Sequence, residues 1–174
     1  FTVTGDLYYF DDWYIDNINS KYNNIGRDML PKTNVGQRIQ AVIEKNITER
    51  PVYSVFFNSS SDNLLEKTFD FIPNGLVFRV VPKGWPVAKE IITSNKNIWA
   101  KYNLRNVKAD FRQDVMLNGL AEYYAFTLYR NGIAYYDQGF VDESINFLEK
   151  SLEIYPQPIT QRNLDYIKIK RSSK

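Results

Sequence analysis

Residues 125–158 read AFTLYRNGIAYYDQGFVDESINFLEKSLEIYPQP, and this stretch decides the fold of the C-terminal half. Its apolar residues recur at helical spacing before and after Gly139, which predicts two helices joined by a turn at that glycine. The small residues Gly132, Ser144 and Ser151 would let the two helices approach to the short end of the usual 8–10 Å range. The stretch therefore predicts a closely packed helical hairpin.

The spacing of these residues is similar to the tetratricopeptide repeat, a 34-residue helix–turn–helix unit. Gly132 and Tyr135 match the pattern of that family, and Pro156 closes the unit. At three further positions a similar residue stands for the one in the pattern, namely Leu128 for Trp, Ser144 for Ala and Leu148 for Phe. Ser151 occupies the position of a second small residue. Asn131, where the pattern has Leu, is the departure. The resemblance implies one repeat over residues 125–158, and an ordinary helical hairpin is the alternative.

Residues 161–170 resemble the first helix of a following unit, shortened into a terminal capping helix. One and a half repeats cannot bury their own apolar faces, because such arrays need about three units to be stable. We therefore expect another part of the chain, or a partner, to cover the hairpin.

The first helix of the hairpin is apolar on two sides, which indicates burial on two sides. One stripe would face the partner helix, and a second stripe consists of Phe126, Tyr129, Ile133 and Tyr136. In the tetratricopeptide family the second face lines the concave groove where peptides bind. The resemblance thus implies a binding site for a protein or peptide partner at these four residues. Either the N-terminal half covers this stripe, or the stripe is an open aromatic surface.

Residues 1–86 predict a small α/β domain with a three-stranded, mostly parallel sheet and flanking helices. The predicted strands cover residues 1–10, 52–57 and 76–81. Helical segments separate them, including one with an apolar stripe at Val35, Ile39, Val42 and Ile43 and a short one over residues 64–69. Strands separated by helices favour parallel pairing, although the brief link into the third strand allows an antiparallel one.

Residues 87–174 predict an all-helical region, packed against the α/β domain and containing the repeat and the capping helix. Residues 93–97 are poor helix formers and predict a break in its first helix. A long helix is predicted over residues 113–138, with a kink or break at Asn118 and Gly119.

The composition excludes several classes of chemistry. The chain has 174 residues and contains neither Cys nor His, which excludes thiol nucleophiles, Ser-His-Asp triads and His- or Cys-ligated zinc. A net charge of +2 gives no field that would gather nucleic acid. The glycines never fall into a phosphate-binding spacing. We therefore expect no catalytic residue, no cofactor and no nucleic-acid partner in this segment.

Acidic residues cluster after the first predicted strand, at Asp11, Asp12 and Asp16, beside Trp13. Asn58 follows the second predicted strand. The carboxyl ends of parallel strands line a ligand crevice in open α/β sheets, so these residues predict a metal or sugar site with Trp13 as a stacking platform. Capping of a helix and of a loop explains the same residues. A carbohydrate-active or metal-dependent enzyme is therefore the alternative function.

Three short motifs carry a second resemblance. They are residues 5–18, with the core Asp12-Trp13-Tyr14-Ile15, then Arg50-Pro51-Val52-Tyr53 and Gly75-Leu76-Val77-Phe78-Arg79. They are similar to the soluble tail of bacterial polytopic membrane proteins of the GT-C glycosyltransferase type. The resemblance implies a preceding membrane region that holds the catalytic carboxylates, and a tail on the outer side of the membrane.

The chain begins at Phe1 and enters a strand-like pattern at once, so we expect an excised piece that lacks its N-terminal neighbour. No apolar stretch approaches the roughly 18 residues of a membrane helix, so the segment by itself is expected to be soluble. The expected function is a non-catalytic interaction or scaffold module, the extracytoplasmic domain of a larger membrane protein. Its expected partners are a protein or peptide and the missing membrane region.

Overall fold

The computed structural model describes residues 35–55, 62–86, 89–104 and 115–173. The chain divides into two compact units. The first comprises Phe1–Ile72 and Val77–Pro86, and the second comprises Pro73–Leu76 and Val87–Lys174. The short turn at residues 73–76 therefore belongs to the helical second unit. The strand predicted over residues 1–10 lies outside the described residues.

The first unit combines two helices with a three-stranded sheet. Its elements are α1 (Val35–Ile47), β1 (Val52–Ser54), α2 (Asp62–Thr68), β2 (Phe69–Asn74) and β3 (Val77–Pro82). The strand order is β1-β3-β2. β1 pairs with β3 in antiparallel fashion, with Val52 opposite Val80. The expectation of a mostly parallel sheet is therefore wrong, although the coarser combination of a small sheet with helices holds.

The length of the connection explains the direction of the strands. Only Gly75 and Leu76 separate β2 from β3, whereas a parallel crossover needs a dozen residues or more. Gly75 has φ +65°, the backbone conformation that two-residue hairpin turns require at their first position. β2 was not predicted, since the sequence pattern assigns residues 64–69 to a helix and the next strand to residues 76–81. Pro73 is tolerated in this strand because β2 has one neighbour, β3, among the described strands.

The core of the first unit lies between α1, α2 and the sheet. Its buried members are Ile43, Leu65, Phe69 and Val80, with Ile39, Ile47, Val52 and Phe71 packed around them. Ile39 and Ile43 of the apolar stripe predicted for α1 thus face the core, and Val42 is also buried. β1 is an outer strand among those described, and Tyr53 within it is about half exposed.

The described residues of the second unit are mainly helical. Its helices are α3 (Lys89–Trp99), α4 (Val115–Asp137), α5 (Val141–Ile154) and α6 (Pro158–Ser172). α3 continues through residues 93–97 and α4 through Gly119, so the break predicted in α3 is wrong and Gly119 does not interrupt α4. In α3, hydrogen bonds of the buried Asn95 side chain outweigh the weak local helix propensity. Within the described ranges, no helix has both the length and the apolar character needed to cross a membrane.

Asp70 joins β2 to the loop that follows β3. Lys83 Nζ donates to Asp70 Oδ1 at 2.7 Å, and the Gly84 N–H donates to Oδ2 at 2.7 Å. Burial raises the pKa of Asp70, but the hydrogen bonds from Lys83 and Gly84 outweigh it, so the pKa lies below its ordinary value. The ionised carboxylate therefore stabilises the end of the hairpin.

We expect Asp70→Asn to lower the free energy of unfolding by at most about 1 kcal/mol at neutral pH, because Lys83 is largely exposed. The folded pKa is depressed, so the Asp70 contribution is complete above the unfolded value of about 3.9 and is lost as pH falls through the folded value. Urea unfolding across this acid range should show a shallower pH dependence for Asp70→Asn. Glu66→Gln, at an exposed site on α2, is the control. An unchanged acid dependence in Asp70→Asn would contradict the assignment.

Candidate interaction surface

The small residues of α4 and α5 lie where the two helices approach most closely. A Cβ atom added to Gly132 would lie 2.7 Å from Leu148 Cγ and 3.2 Å from the Ser144 carbonyl oxygen. These distances leave no room for a side chain at position 132. Nearby, Ser151 Oγ donates to the Ala125 carbonyl at 2.7 Å. Close approach and this hydrogen bond together hold the hairpin in one register.

Aromatic residues close one side of the hairpin. Trp99, Leu128, Tyr135 and Phe147 form a buried cluster. The rings of Tyr135 and Phe147 stack with centroids 5.0 Å apart, and Trp99 meets Phe147 edge-on at 6.2 Å. The partly buried residues around this cluster are Leu76, Tyr102, Leu104, Tyr124, Phe140 and Ile154. The turn at residues 73–76, the α3 C-terminus and the segment after it therefore supply the cover that the hairpin needs.

A chain of buried hydrogen bonds accompanies this apolar cover. The Gly75 N–H donates to Asn95 Oδ1 at 2.6 Å, and Asn95 Nδ2 donates to Asn131 Oδ1. Asn131 Nδ2 in turn donates to the Thr127 carbonyl at 2.7 Å. Asn131 is fully buried, and both ends of its carboxamide are satisfied. The departure from the repeat pattern at position 131 thus provides the acceptor that Asn95 requires.

Two tyrosines, the half-buried Tyr123 and the buried Tyr135, border the same region. The Tyr123 hydroxyl donates to the Leu76 carbonyl, and burial raises the pKa of Tyr123. Burial and the nearby Glu143 carboxylate raise the pKa of Tyr135 to about 12. Glu143 also lies 3.5 Å from Lys96 Nζ. Both phenols are therefore neutral at physiological pH and act in packing and hydrogen bonding.

The predicted binding stripe of Phe126, Tyr129, Ile133 and Tyr136 is half-buried at all four positions. Tyr129 and Tyr136 pack against a cluster formed by Ile145, Leu148, Leu164 and Ile167. In addition, Asn163 Nδ2 on α6 donates to the Tyr129 hydroxyl at 3.0 Å. Part of the stripe is thus covered by α6 of its own unit, a cover that the sequence analysis did not weigh.

α6 adds a second surface on its outward side. Ile159, Tyr166 and Ile169 are 45%, 52% and 67% exposed, while Leu164 and Ile167 on the inward side are buried. This surface was not predicted, since residues 161–170 were interpreted only as a terminal capping helix. Its signal in the sequence is a second apolar stripe, in which Tyr166 follows Ile159 by seven residues and Ile169 follows Tyr166 by three.

The predicted crevice residues Asp11, Asp12, Asp16, Trp13 and Asn58 lie outside the described residues. In the ranges that the structure describes, no group of three or more acidic side chains is placed to hold a metal ion. Comparison with protein-family models, with curated proteins and with solved structures finds no match to this chain. The geometry of the helical unit is therefore the basis for a functional proposal.

Two glycines of α4 provide a matched pair of substitutions. We expect Gly132→Ala to lower the free energy of unfolding by about 1–3 kcal/mol, because its Cβ would overlap Leu148. Gly119→Ala should raise it by about 0.5–1 kcal/mol, because nothing lies within 4 Å of that Cβ position and alanine favours helix. Chemical denaturation measures both. Equal stabilisation by the two substitutions would contradict the close approach at Gly132.

Restoring the repeat pattern at position 131 should damage the fold. We expect Asn131→Leu to lower the free energy of unfolding by about 2–3 kcal/mol, because the buried Asn95 amide loses its acceptor. A double-mutant cycle tests this origin. In an Asn95→Ala background, Asn131→Leu should cost markedly less, whereas additive costs would show that the two side chains do not interact.

Proposed function

We propose that this chain is a non-catalytic protein-interaction module that holds a protein or peptide along the aromatic stripe of α4. The observation that supports it is the state of the stripe, since Phe126, Tyr129, Ile133 and Tyr136 are all half-buried. Tyr129 and Tyr136 pack within the helical unit, and each of the four side chains keeps part of its surface exposed. Half-buried aromatic side chains at a closely packed helix are typical anchors of protein interfaces.

Preorganisation is the second support for this proposal. Asn163 holds the Tyr129 hydroxyl at 3.0 Å, and α6 packs against Tyr136. These contacts fix the two rings before a partner arrives, so that binding costs little additional side-chain entropy. An extended or helical peptide that lies along α4 would cover the exposed parts of these four side chains together. The expected partner thus carries apolar side chains that fit between fixed aromatic rings.

The proposal includes a setting for this module, the extracytoplasmic tail of a larger membrane protein of the GT-C glycosyltransferase type. Its support is the similarity of the motifs at residues 50–53 and 75–79 to such tails. In that setting the module would position a partner protein or acceptor chain near the membrane enzyme.

We expect protease added to intact cells to digest the tail, because this setting places the tail outside the membrane. Protection of the tail until the membrane is broken would contradict this placement.

Site-specific photocrosslinking tests the binding stripe. We expect a photoreactive phenylalanine at Ile133 to give a discrete adduct in cells that produce the protein, because Ile133 is a half-buried member of the stripe. The same probe at Asn146, at an exposed site on α5, is the control and should give no such adduct. Phe126→Ser should reduce the adduct from position 133 while the unfolding transition is retained. Adducts of equal yield at both sites, or none at Ile133, would overturn the proposal.

A further inference from the structure

The outward face of α6 is a continuous surface distinct from the aromatic stripe of α4. It holds the three exposed apolar residues Ile159, Tyr166 and Ile169. Arg162 precedes Tyr166 by four residues and Lys170 follows it by four, so both cations lie on the same helix face. Lys170 Nζ lies 5.7 Å from the centre of the Tyr166 ring. From Ile159 to Lys170 this face is about 17 Å long.

Basic residues of α6 form ion pairs on the side that faces α5, whereas those on the outward side form none with the described residues. Towards α5, Lys168 pairs with Glu149 at 2.8 Å and Arg171 pairs with Asp142 at 2.9 Å. On the outward face, neither Arg162 nor Lys170 forms an ion pair with any described residue. The helix has one acidic residue, Asp165, which accepts a hydrogen bond from Gln161 at 2.8 Å. Asp165 lies four residues before Ile169 and borders this face, so the outward face is apolar along its centre and Arg162 and Lys170 leave it with a net positive charge.

We propose that this outward face of α6 docks an amphipathic α-helix whose apolar stripe is flanked by acidic residues. Apolar side chains of the incoming helix would cover Ile159, Tyr166 and Ile169, as α6 itself covers α5 through Leu164 and Ile167. Carboxylates near its two ends would meet Arg162 and Lys170. Three turns of helix match the length of the face, which makes this the next layer of the α4–α5–α6 stack.

Charge argues against a second copy of this chain as the occupant. In a two-fold pairing of antiparallel helices centred on Tyr166, Arg162 of one copy would lie opposite Lys170 of the other. Two like-charged pairs would then be brought together at the edges of a small apolar contact. A helix with acidic flanks replaces both repulsions with attractions.

The arrangement of the face also argues against a lipid surface. Helices that lie in a membrane interface bury a broad apolar face. The broad apolar side of α6 is already used, since Leu164 and Ile167 are buried against α5. The outward stripe has only three apolar residues, and Lys170 lies over the ring of one of them. Insertion into lipid would therefore require dehydration of that cation for little apolar burial.

Two synthetic helical peptides of about 14 residues, long enough to span the face, provide the probe. Both carry the same leucine stripe, and the flanking positions are Glu in one and Lys in the other. Binding to the full chain is measured by fluorescence anisotropy at low salt. We expect the Glu peptide to bind about fivefold to tenfold more tightly than the Lys peptide, as two exposed ion pairs allow.

Variants of the chain assign this binding to the outward face. The double change Arg162→Glu and Lys170→Glu should invert the preference between the two peptides, and Ile169→Ser should weaken both. Lys150→Glu, at an exposed site on α5, is a single charge-reversal control on another helix and should leave the preference unchanged. All positions are exposed, and retained circular dichroism confirms that the variants fold.

Several outcomes would overturn this proposal. Equal binding of the Glu and Lys peptides would remove the electrostatic basis, and absence of binding by either would remove the docking face. A dimer in sedimentation that Ile169→Ser abolishes would show that a second copy is the occupant. Tighter binding to phosphatidylserine vesicles than to the Glu peptide would identify a lipid surface. The photocrosslink at Ile133 tests a separate face, so the two proposals fail independently.

Discussion

The contact between Gly132 and Leu148 sets the distance between α4 and α5, and the rest of the helical unit depends on it. With a side chain at position 132, the overlap at 2.7 Å would push the helices apart. Separation would break the Ser151 hydrogen bond to Ala125 and loosen the stack of Tyr135 on Phe147. Because Gly132 has no Cβ atom, the helices approach closely enough to form both the polar and the aromatic contacts of the hairpin.

A hairpin this narrow presents apolar residues on two opposite sides, and its own unit covers both. On one side, Trp99 and the Asn95 carboxamide bring α3 and the turn at residues 73–76 against it. On the other side, Leu164 and Ile167 of α6 pack against Leu148. Covering the hairpin in this way leaves two surfaces incomplete, the half-buried stripe of α4 and the outward face of α6. Both surfaces are rigid because the side chains behind them are packed.

Asn131 illustrates how tertiary structure gives meaning to a departure from a pattern. In the sequence, a polar residue at an apolar position only weakens the resemblance to a repeat. In the folded unit it accepts a hydrogen bond from Asn95, which in turn accepts one from the Gly75 backbone. Buried amides of this kind are costly when unpaired and specific when paired. The sequence alone does not reveal the pairing because 36 residues separate the two side chains.

Local spacing predicted the two helices of the hairpin, the turn at Gly139 and the small residues at the hairpin contact, because each depends on residues within a few helical turns of one another. The apolar face of α1 was predictable for the same reason. Tertiary structure alone decided the direction of the strands, the existence of β2 and the cover that α6 gives to Tyr129 and Tyr136. These features depend on which distant segments meet. The free energy of such contacts comes from complementary shape and paired hydrogen bonds, which local periodicity does not encode.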